Sequence, residues 1–323
     1  MHKRRKTIEH QWLELMDIRG GLSTEDQRRL EALEIGHEGE CTFDFWMERY
    51  GDEQWRVYRD IWIDAGGPTQ VDTMVVTETG VFIFDVKNYS GDYAYLNGRW
   101  SVNGRPIIKD IFVQLKRSME KVHLMLRQID LSLQAEGLIV FINEHFTFES
   151  EAGIDERFVM RHTLKKHLQT MDEGSVVMRM PIDMLCRRIE SYFIDNPYPA
   201  PACDDDVYSR LKKGVRCAGC GGFRHMVMRY HLKCLGCGNK EAKERAVLRS
   251  ICEYGVLRND RNLRVRNIIH FVDNIVSERY VRFLLAKHFE AISRGKHAAY
   301  KNMRQVWEYC DINVTSKYKD RKI

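Results

Sequence analysis

Gln70-Val71-Asp72-Thr73-Met74-Val75-Val76 and Val81-Phe82-Ile83-Phe84-Asp85-Val86-Lys87 are two runs rich in β-branched and aromatic residues, separated by Thr77-Glu78-Thr79-Gly80. Such runs around a glycine turn signal read as an antiparallel hairpin, with strands over 70–77 and 81–87. Two registers are open. A two-residue loop at Thr79-Gly80 sets Asp72 across from Lys87, with Asp85 diagonal to it. A loop at Glu78-Thr79 sets Asp72 across from Asp85. In both, Asp72, Asp85 and Lys87 emerge on one face, because side chains alternate along a strand. A three-residue loop would divide them between the two faces.

Two carboxylates about 5 Å apart across a hairpin repel each other unless a cation lies between them. A hard divalent cation with oxygen ligands relieves that repulsion, and Lys87 adds a further positive charge. In phosphodiester hydrolysis such an ion holds the scissile phosphate and acidifies the attacking water. A lysine can orient that water or stabilise charge building on phosphorus. Taken alone, Asp-x12-Asp-x-Lys also fits an ordinary strand-end salt bridge.

Outward from the hairpin, the pattern predicts a helix over 34–50, with Ile35, Cys41, Phe45 and Trp46 at near-helical spacing. A strand over 55–63 and the turn Gly66-Gly67-Pro68 lead into the hairpin. Behind it, Asn97-Gly98 and Asn103-Gly104 punctuate a small meander carrying Tyr93, Tyr95 and Trp100. A long helix over 110–131 follows, its stripe formed by Ile111, Leu115, Met119, Val122 and Leu126. A wholly apolar strand over 137–142 is of the kind buried on both faces. A weaker strand at 157–160 and a helix over 181–193 close the front half.

Gly36-His37-Glu38-Gly39-Glu40, Gln70-Val71-Asp72, the run from Gly80 to Gly91 containing Asp85-Val86-Lys87-Asn88-Tyr89, Trp100 and Gln114 occur in that order. Together they resemble the nuclease-related domain, a branch of the PD-(D/E)xK nuclease superfamily, over residues 34–145. The resemblance implies a restriction-endonuclease-like α/β core, a mixed sheet flanked by helices. It also implies that Asp72 and Asp85 are the principal ligands of a catalytic Mg²⁺ or Mn²⁺, joined by Glu40. Lys87 would be the catalytic lysine, and Gln114 would reach toward the phosphate or the metal. The sequence departs from the usual motif in having Asp85 where glutamate is commoner, which draws that ligand back by one methylene. Tyr89 and Trp100 could stack on bases, although aromatics beside a meander more often pack.

Three of the six prolines lie in 195–206, which marks a linker. Beyond it, Cys217-x-x-Cys220 and Cys234-x-x-Cys237 flank an intervening run that can form two strands. That spacing predicts a zinc ribbon, with a closed four-thiolate Zn²⁺ site of structural role. Helices over 241–256 and 263–272 and one from the Ser277 cap to about residue 293 form a basic helical tail. It looks like a winged-helix or helix-turn-helix module whose last helix enters the major groove. On that last helix Arg279, Arg282 and Lys287 share one arc, opposite Val281, Leu284, Leu285, His288 and Ile292. The expected nucleic-acid contacts are Arg216, Arg224 and Arg229 in the ribbon and Arg279, Arg282, Lys287, Arg294 and Lys296 in the tail.

Charge supports that division. From Val207 onward there are 26 Lys and Arg against 10 Asp and Glu, a net of +16; the preceding residues carry 25 against 36, a net of −11. A split of this size points to nucleic acid, with DNA expected ahead of RNA, on a differently tasked front. No apolar run approaches the roughly 20 residues of a membrane span, and no membrane partner is expected. Nine cysteines, four of them in two C-x-x-C pairs, suit a reduced compartment, and a cytoplasmic location is expected. The basic start, 1–11, lacks an apolar segment behind it and reads as a surface-exposed extension rather than a secretory signal.

The organisation predicted is an N-terminal helical extension (1–33), a nuclease-related domain (34–194), a linker (195–206), a zinc ribbon (207–239) and a basic helical domain (240–323). The function expected is metal-dependent hydrolysis of DNA or RNA, targeted by the ribbon and tail. Cutting both strands of a duplex would favour a homodimer. The alternative is a non-catalytic nucleic-acid-binding or regulatory protein that keeps the nuclease scaffold.

Overall fold

The computed structural model describes residues 4–108, 110–150, 158–173, 178–198, 201–293, 295, 298–304 and 306. The elements, in order, begin with helices α1 (Ile8–Ile18) and α2 (Thr24–Tyr50) and strands β1 (Arg56–Asp64), β2 (Pro68–Val76) and β3 (Val81–Lys87). Strands β4 (Gly91–Leu96), β5 (Arg99–Val102) and β6 (Arg105–Ile107) precede helix α3 (Val113–Ile129). Strands β7 (Ala135–Phe141), β8 (Phe146–Ser150) and β9 (Phe158–Met160), helices α4 (Arg161–Thr170) and α5 (Ile182–Glu190) and strand β10 (Phe193–Ile194) follow. Two compact units result: Arg4 with residues 32–198, and residues 5–31 with the described residues from 201 onward.

In the first unit a six-stranded mixed sheet runs in the order β10-β1-β2-β3-β7-β9. Strands β1, β2 and β3 are antiparallel neighbours, whereas β3, β7 and β9 are parallel. Alternation along β3 builds both faces of the core. Val81 and Ile83 pack with Leu115, Val122 and Leu126 of α3 and Leu185 and Ile189 of α5. Phe82, Phe84 and Val86 pack with Phe43 and Met47 of α2 and Leu164 and Leu168 of α4. A central strand buried on both sides has to be apolar throughout, so the buried Asp85 and Lys87 stand out. The meander β4–β6, with β8, forms a second, four-stranded sheet.

Several expectations are corrected here. Helix α2 begins at Thr24 rather than near residue 34. Its buried apolar residues include Phe43 and Met47, while Ile35 and Phe45 are exposed. The start of the chain is not a surface extension among the described residues: Arg4, His10 and Gln11 are buried. Trp100 packs, as aromatics beside a meander more often do: it is 3% exposed and in ring contact with Tyr95, Phe112 and Phe148.

The second unit contains α1, α6 (Asp205–Arg210), a three-stranded sheet of β11 (His225–Val227), β12 (His231–Cys234) and β13 (Lys240–Ala242), and helices α7 (Lys243–Leu257), α8 (Val265–Phe271) and α9 (Glu278–His288). Strands β14 (Ala291–Ser293) and β15 (Ala299–Tyr300) then pair as an antiparallel hairpin, and Tyr300 also bridges to Leu263 ahead of α8. Helix α9 therefore stops at His288, short of the expected residue 293. Ile292, expected on its apolar arc, lies in the hairpin and is 54% exposed. From Ala246 to its end, α7 is buried, and its Glu253 is fully enclosed by Arg19, Arg216 and Arg249 at 2.6, 3.2 and 3.3 Å. No helix of the described residues is long and apolar enough to cross a membrane.

Candidate functional site

The hairpin adopts the second of the two open registers. Thr73 pairs with Phe84 and Val76 with Val81, and Thr77 N–H donates to the Gly80 carbonyl, which leaves Glu78-Thr79 as the loop. Continued by one residue, that register brings Asp72 opposite Asp85. Asp85 lies on the α3 side of the sheet with Ile83, two residues away, whereas Val71 and Met74 both belong to that core and mark a break in alternation at Asp72.

Asp85 is 4% exposed and Lys87 7%. Lys87 Nζ lies 2.6 Å from Asp85 Oδ1 and donates to Gln114 Oε1 at 2.8 Å. Gln114 is exposed, in the first turn of α3, so it stands at the mouth of the site. Lys87 is the partner of Oδ1, while the buried Oδ2 of Asp85 accepts no hydrogen bond from the described residues. Burial pushes the carboxyl of Asp72 up, and the charges of Asp85 and Glu40 push it further. Burial works against the ammonium of Lys87 but is outweighed by Asp85, so its pKa is raised and the lysine stays protonated. Lys87 is thus suited to hold or donate to an anion and not to accept a proton.

Glu40 comes from α2 because that helix passes very close to the end of β3. A Cβ on Gly39 would lie 2.5 Å from Cβ of Asn88, so only glycine permits the approach. One turn later Asp44 falls on the same face as Glu40. Both meet a residue that sequence reasoning missed. The side chain of Arg4 is fully buried, and its guanidinium contacts Glu40 at 3.3 Å, Asp44 at 3.0 Å and Asp60 at 2.9 Å. It also donates to the Asp72 carbonyl at 3.1 Å and to Thr73 Oγ1 at 2.8 Å. Burial pushes Glu40 up to about 7, against the lowering effect of Arg4. Asp60 stands across from Asp72 with φ at +51°, a conformation that strands disfavour for any residue but glycine. Arg59 completes the cluster at 2.8 Å from Asp44.

The donors therefore suit a hard cation at Asp72 and Asp85: a half-buried and a buried carboxylate that interact electrostatically, the second with one oxygen short of hydrogen bonds. Glu40 is held by Arg4, and Glu40, Asp72 and Asp85 do not bring three carboxylate oxygens within 4.8 Å of one another.

In the second unit the sulfurs of Cys217, Cys220, Cys234 and Cys237 all lie within 4.8 Å of one another, and they fit a zinc ribbon. Each knuckle closes on a glycine in the left-handed region: Gly221 N–H donates to the Cys217 carbonyl and Gly238 N–H to that of Cys234. Burial tends to raise the thiol of Cys217, but backbone N–H groups of Cys220 and Gly219 prevail and bring it down to about 6.

The expected nucleic-acid contacts separate into two groups. Arg224, Arg229, Arg279 and Arg282 are exposed, with Arg229 over the ring of Tyr230. Arg216 is instead drawn to the buried Glu253, and Lys287 to Glu244 at 2.7 Å. Arg294 and Lys296 lie outside the described residues.

Residues 35–142 match the family model described as the nuclease-related domain. The mixed sheet flanked by helices fits the restriction-endonuclease-like fold of that domain. No curated protein and no solved structure matches the chain.

Proposed function

We propose, from the premise that residues 35–142 form a nuclease-related domain, that this protein is a Mg²⁺- or Mn²⁺-dependent nuclease acting on DNA in preference to RNA. The observation that carries this reading is Asp85: a buried carboxylate whose charge acts on Asp72, with the protonated Lys87 2.6 Å from one oxygen and no hydrogen bond to the other from the described residues. Asp72 and Asp85 would hold the cation, with Glu40 able to join them only on release from Arg4. The ion would supply Lewis-acid activation of the phosphate and an acidified water. Lys87 holds its proton and faces anionic charge, so it stabilises the negative charge that develops on phosphorus. Gln114 fixes the ammonium of Lys87 from the solvent side and can release it toward a phosphate oxygen.

Targeting is assigned to the second unit. The four cysteines would bind a structural Zn²⁺. Arg224 and Arg229 in the ribbon and Arg279 and Arg282 on α9 would contact phosphate or bases. The three helices followed by a hairpin support a winged-helix reading of this module. Arg216 and Lys287 are withdrawn from that role by their partners Glu253 and Glu244.

A second reading, a nucleic-acid-binding protein with an inactive scaffold, is favoured by one observation. Arg4 and Lys87 already neutralise Glu40 and Asp85 without a metal. One gel assay separates the two. Purified protein is incubated with linear, circular and branched DNA, with and without Mg²⁺ or Mn²⁺, beside Asp72→Ala and Lys87→Ala. Metal-dependent cleavage lost in both variants supports the nuclease; a band shift with no cleavage under any condition supports the scaffold.

A further inference from the structure

We infer that Arg4 is a built-in cation of this site, occupying among Glu40, Asp44 and Asp60 the position a second divalent ion would otherwise take, and so limiting the site to one metal. This rests on the proposed metal site at Asp72 and Asp85 and extends it.

Three observations carry the inference. The first is completeness of contact: the guanidinium of Arg4 meets three carboxylates between 2.9 and 3.3 Å and donates further to Asp72 and Thr73. Its side chain has no solvent exposure. An arginine that merely covers a surface keeps its head in water. This one has exchanged water for acceptors on three elements: α2, β1 and β2.

The second is charge. The charged side chains in and beside this cluster are five carboxylates (Glu40, Asp44, Asp60, Asp72, Asp85) and three cations (Arg4, Arg59, Lys87). Fully ionised, they leave a formal excess of two negative charges, which one divalent ion cancels. Without Arg4 the excess is three, and two of those charges sit on Glu40, Asp44 and Asp60 beside Arg59, where a second divalent ion would cancel them. The third is strain: Asp60 adopts φ of +51° within a strand while its carboxylate meets Arg4, a cost that the contact has to offset.

Arg4 is therefore a positioning residue, acting on the metal site through the Asp72 backbone and the Glu40 carboxylate. The test is the number of Mn²⁺ ions bound per full-length, zinc-loaded chain, read from free Mn²⁺ by electron paramagnetic resonance at pH 8. Wild type should bind one, Asp85→Asn should lose it, and Arg4→Gln should bind two. A structural role alone would alter stability without adding an ion. Wild type binding two ions or none would overturn the inference, and so would Arg4→Gln binding fewer than two. If Arg4→Gln does not fold without metal, the inference requires that Mn²⁺ restore folding, and failure to do so at saturating Mn²⁺ would also overturn it. Cleavage is scored separately. Stoichiometry that moves from one to two in a protein that never cuts DNA would remove the nuclease reading and leave Arg4's role intact. Cleavage with unchanged stoichiometry would do the reverse.

Discussion

The ammonium of Lys87 lies 2.6 Å from a carboxylate oxygen of Asp85, two residues back on the same central strand, and both side chains are at least nine-tenths buried. Buried charges of this kind persist only when each has the other. Removing one partner leaves the second without compensation, at a cost of about 3–5 kcal/mol. Lys87→Met should therefore lower the melting temperature of the metal-free protein markedly, and Mn²⁺ should recover much of the loss by meeting Asp85. Equal melting of variant and wild type without metal would mean that the pair is not coupled in solution.

Glu40 sets an unusual pH response. Burial raises its carboxyl from an ordinary 4.5 to about 7, so the folded protein holds that proton more tightly than the unfolded chain. The resulting stabilisation is full below about 4.5 and is lost as pH rises toward 7, the opposite of a carboxylate whose pKa is lowered on folding. The amount is on the order of 3 kcal/mol at most. Asp72, also raised, acts in the same direction. Metal-free wild type should lose stability between pH 5 and 8 relative to Glu40→Gln, measured by urea titration at each pH. Mn²⁺ affinity should rise over the same interval, as protons stop competing. Parallel pH curves for the two proteins would refute this.

Much of the site could be read before any coordinates, because parity along a strand is a strong constraint. Either two-residue loop put Asp72, Asp85 and Lys87 on one face, and only the pairing partner of Asp72 stayed open. Gln114 came only through the resemblance to the nuclease-related domain. Arg4 could not be read. It lies 68 residues from the Asp72 carbonyl it binds, in a basic terminal run whose composition suggests a solvated surface. Asp44 carried a usable signal, its spacing of four from Glu40. Asp60 carried none, because its positive φ breaks the alternation on which strand reading depends. The early start of α2 was marked by Ser23, whose hydroxyl accepts from Asp26 N–H and caps the first turn. The end of α9 was misplaced because the pairing of β14 with β15 outweighs the local helical pattern.

The ribbon should depend on its metal. Its four sulfurs converge, and the small sheet around them buries Leu232 as its one apolar strand residue besides Cys234, too little to hold three short strands. Cys217→Ser or treatment with a strong chelator should release one zinc ion and open the ribbon. The expected readout is faster amide exchange over 217–242, with the sheet around Asp85 unaffected. Unchanged exchange after zinc loss would show that the ribbon folds without metal.

Arg282 and Lys287 share the cationic arc of α9 but differ in what they have left to offer. Both are exposed, but Lys287 is ion-paired with Glu244, which His288 also contacts at 2.8 Å. Each phosphate contact releases condensed counterions on binding, so its loss reduces the salt dependence of affinity by about one unit of slope. Arg282→Ala should weaken DNA binding and flatten the plot of log affinity against log salt by about that amount. Lys287→Ala should leave the slope close to wild type, because that charge is already neutralised by Glu244. Fluorescence anisotropy with a duplex at several salt concentrations decides the matter. Equal slopes for wild type and Arg282→Ala would exclude Arg282 from the surface that meets phosphate.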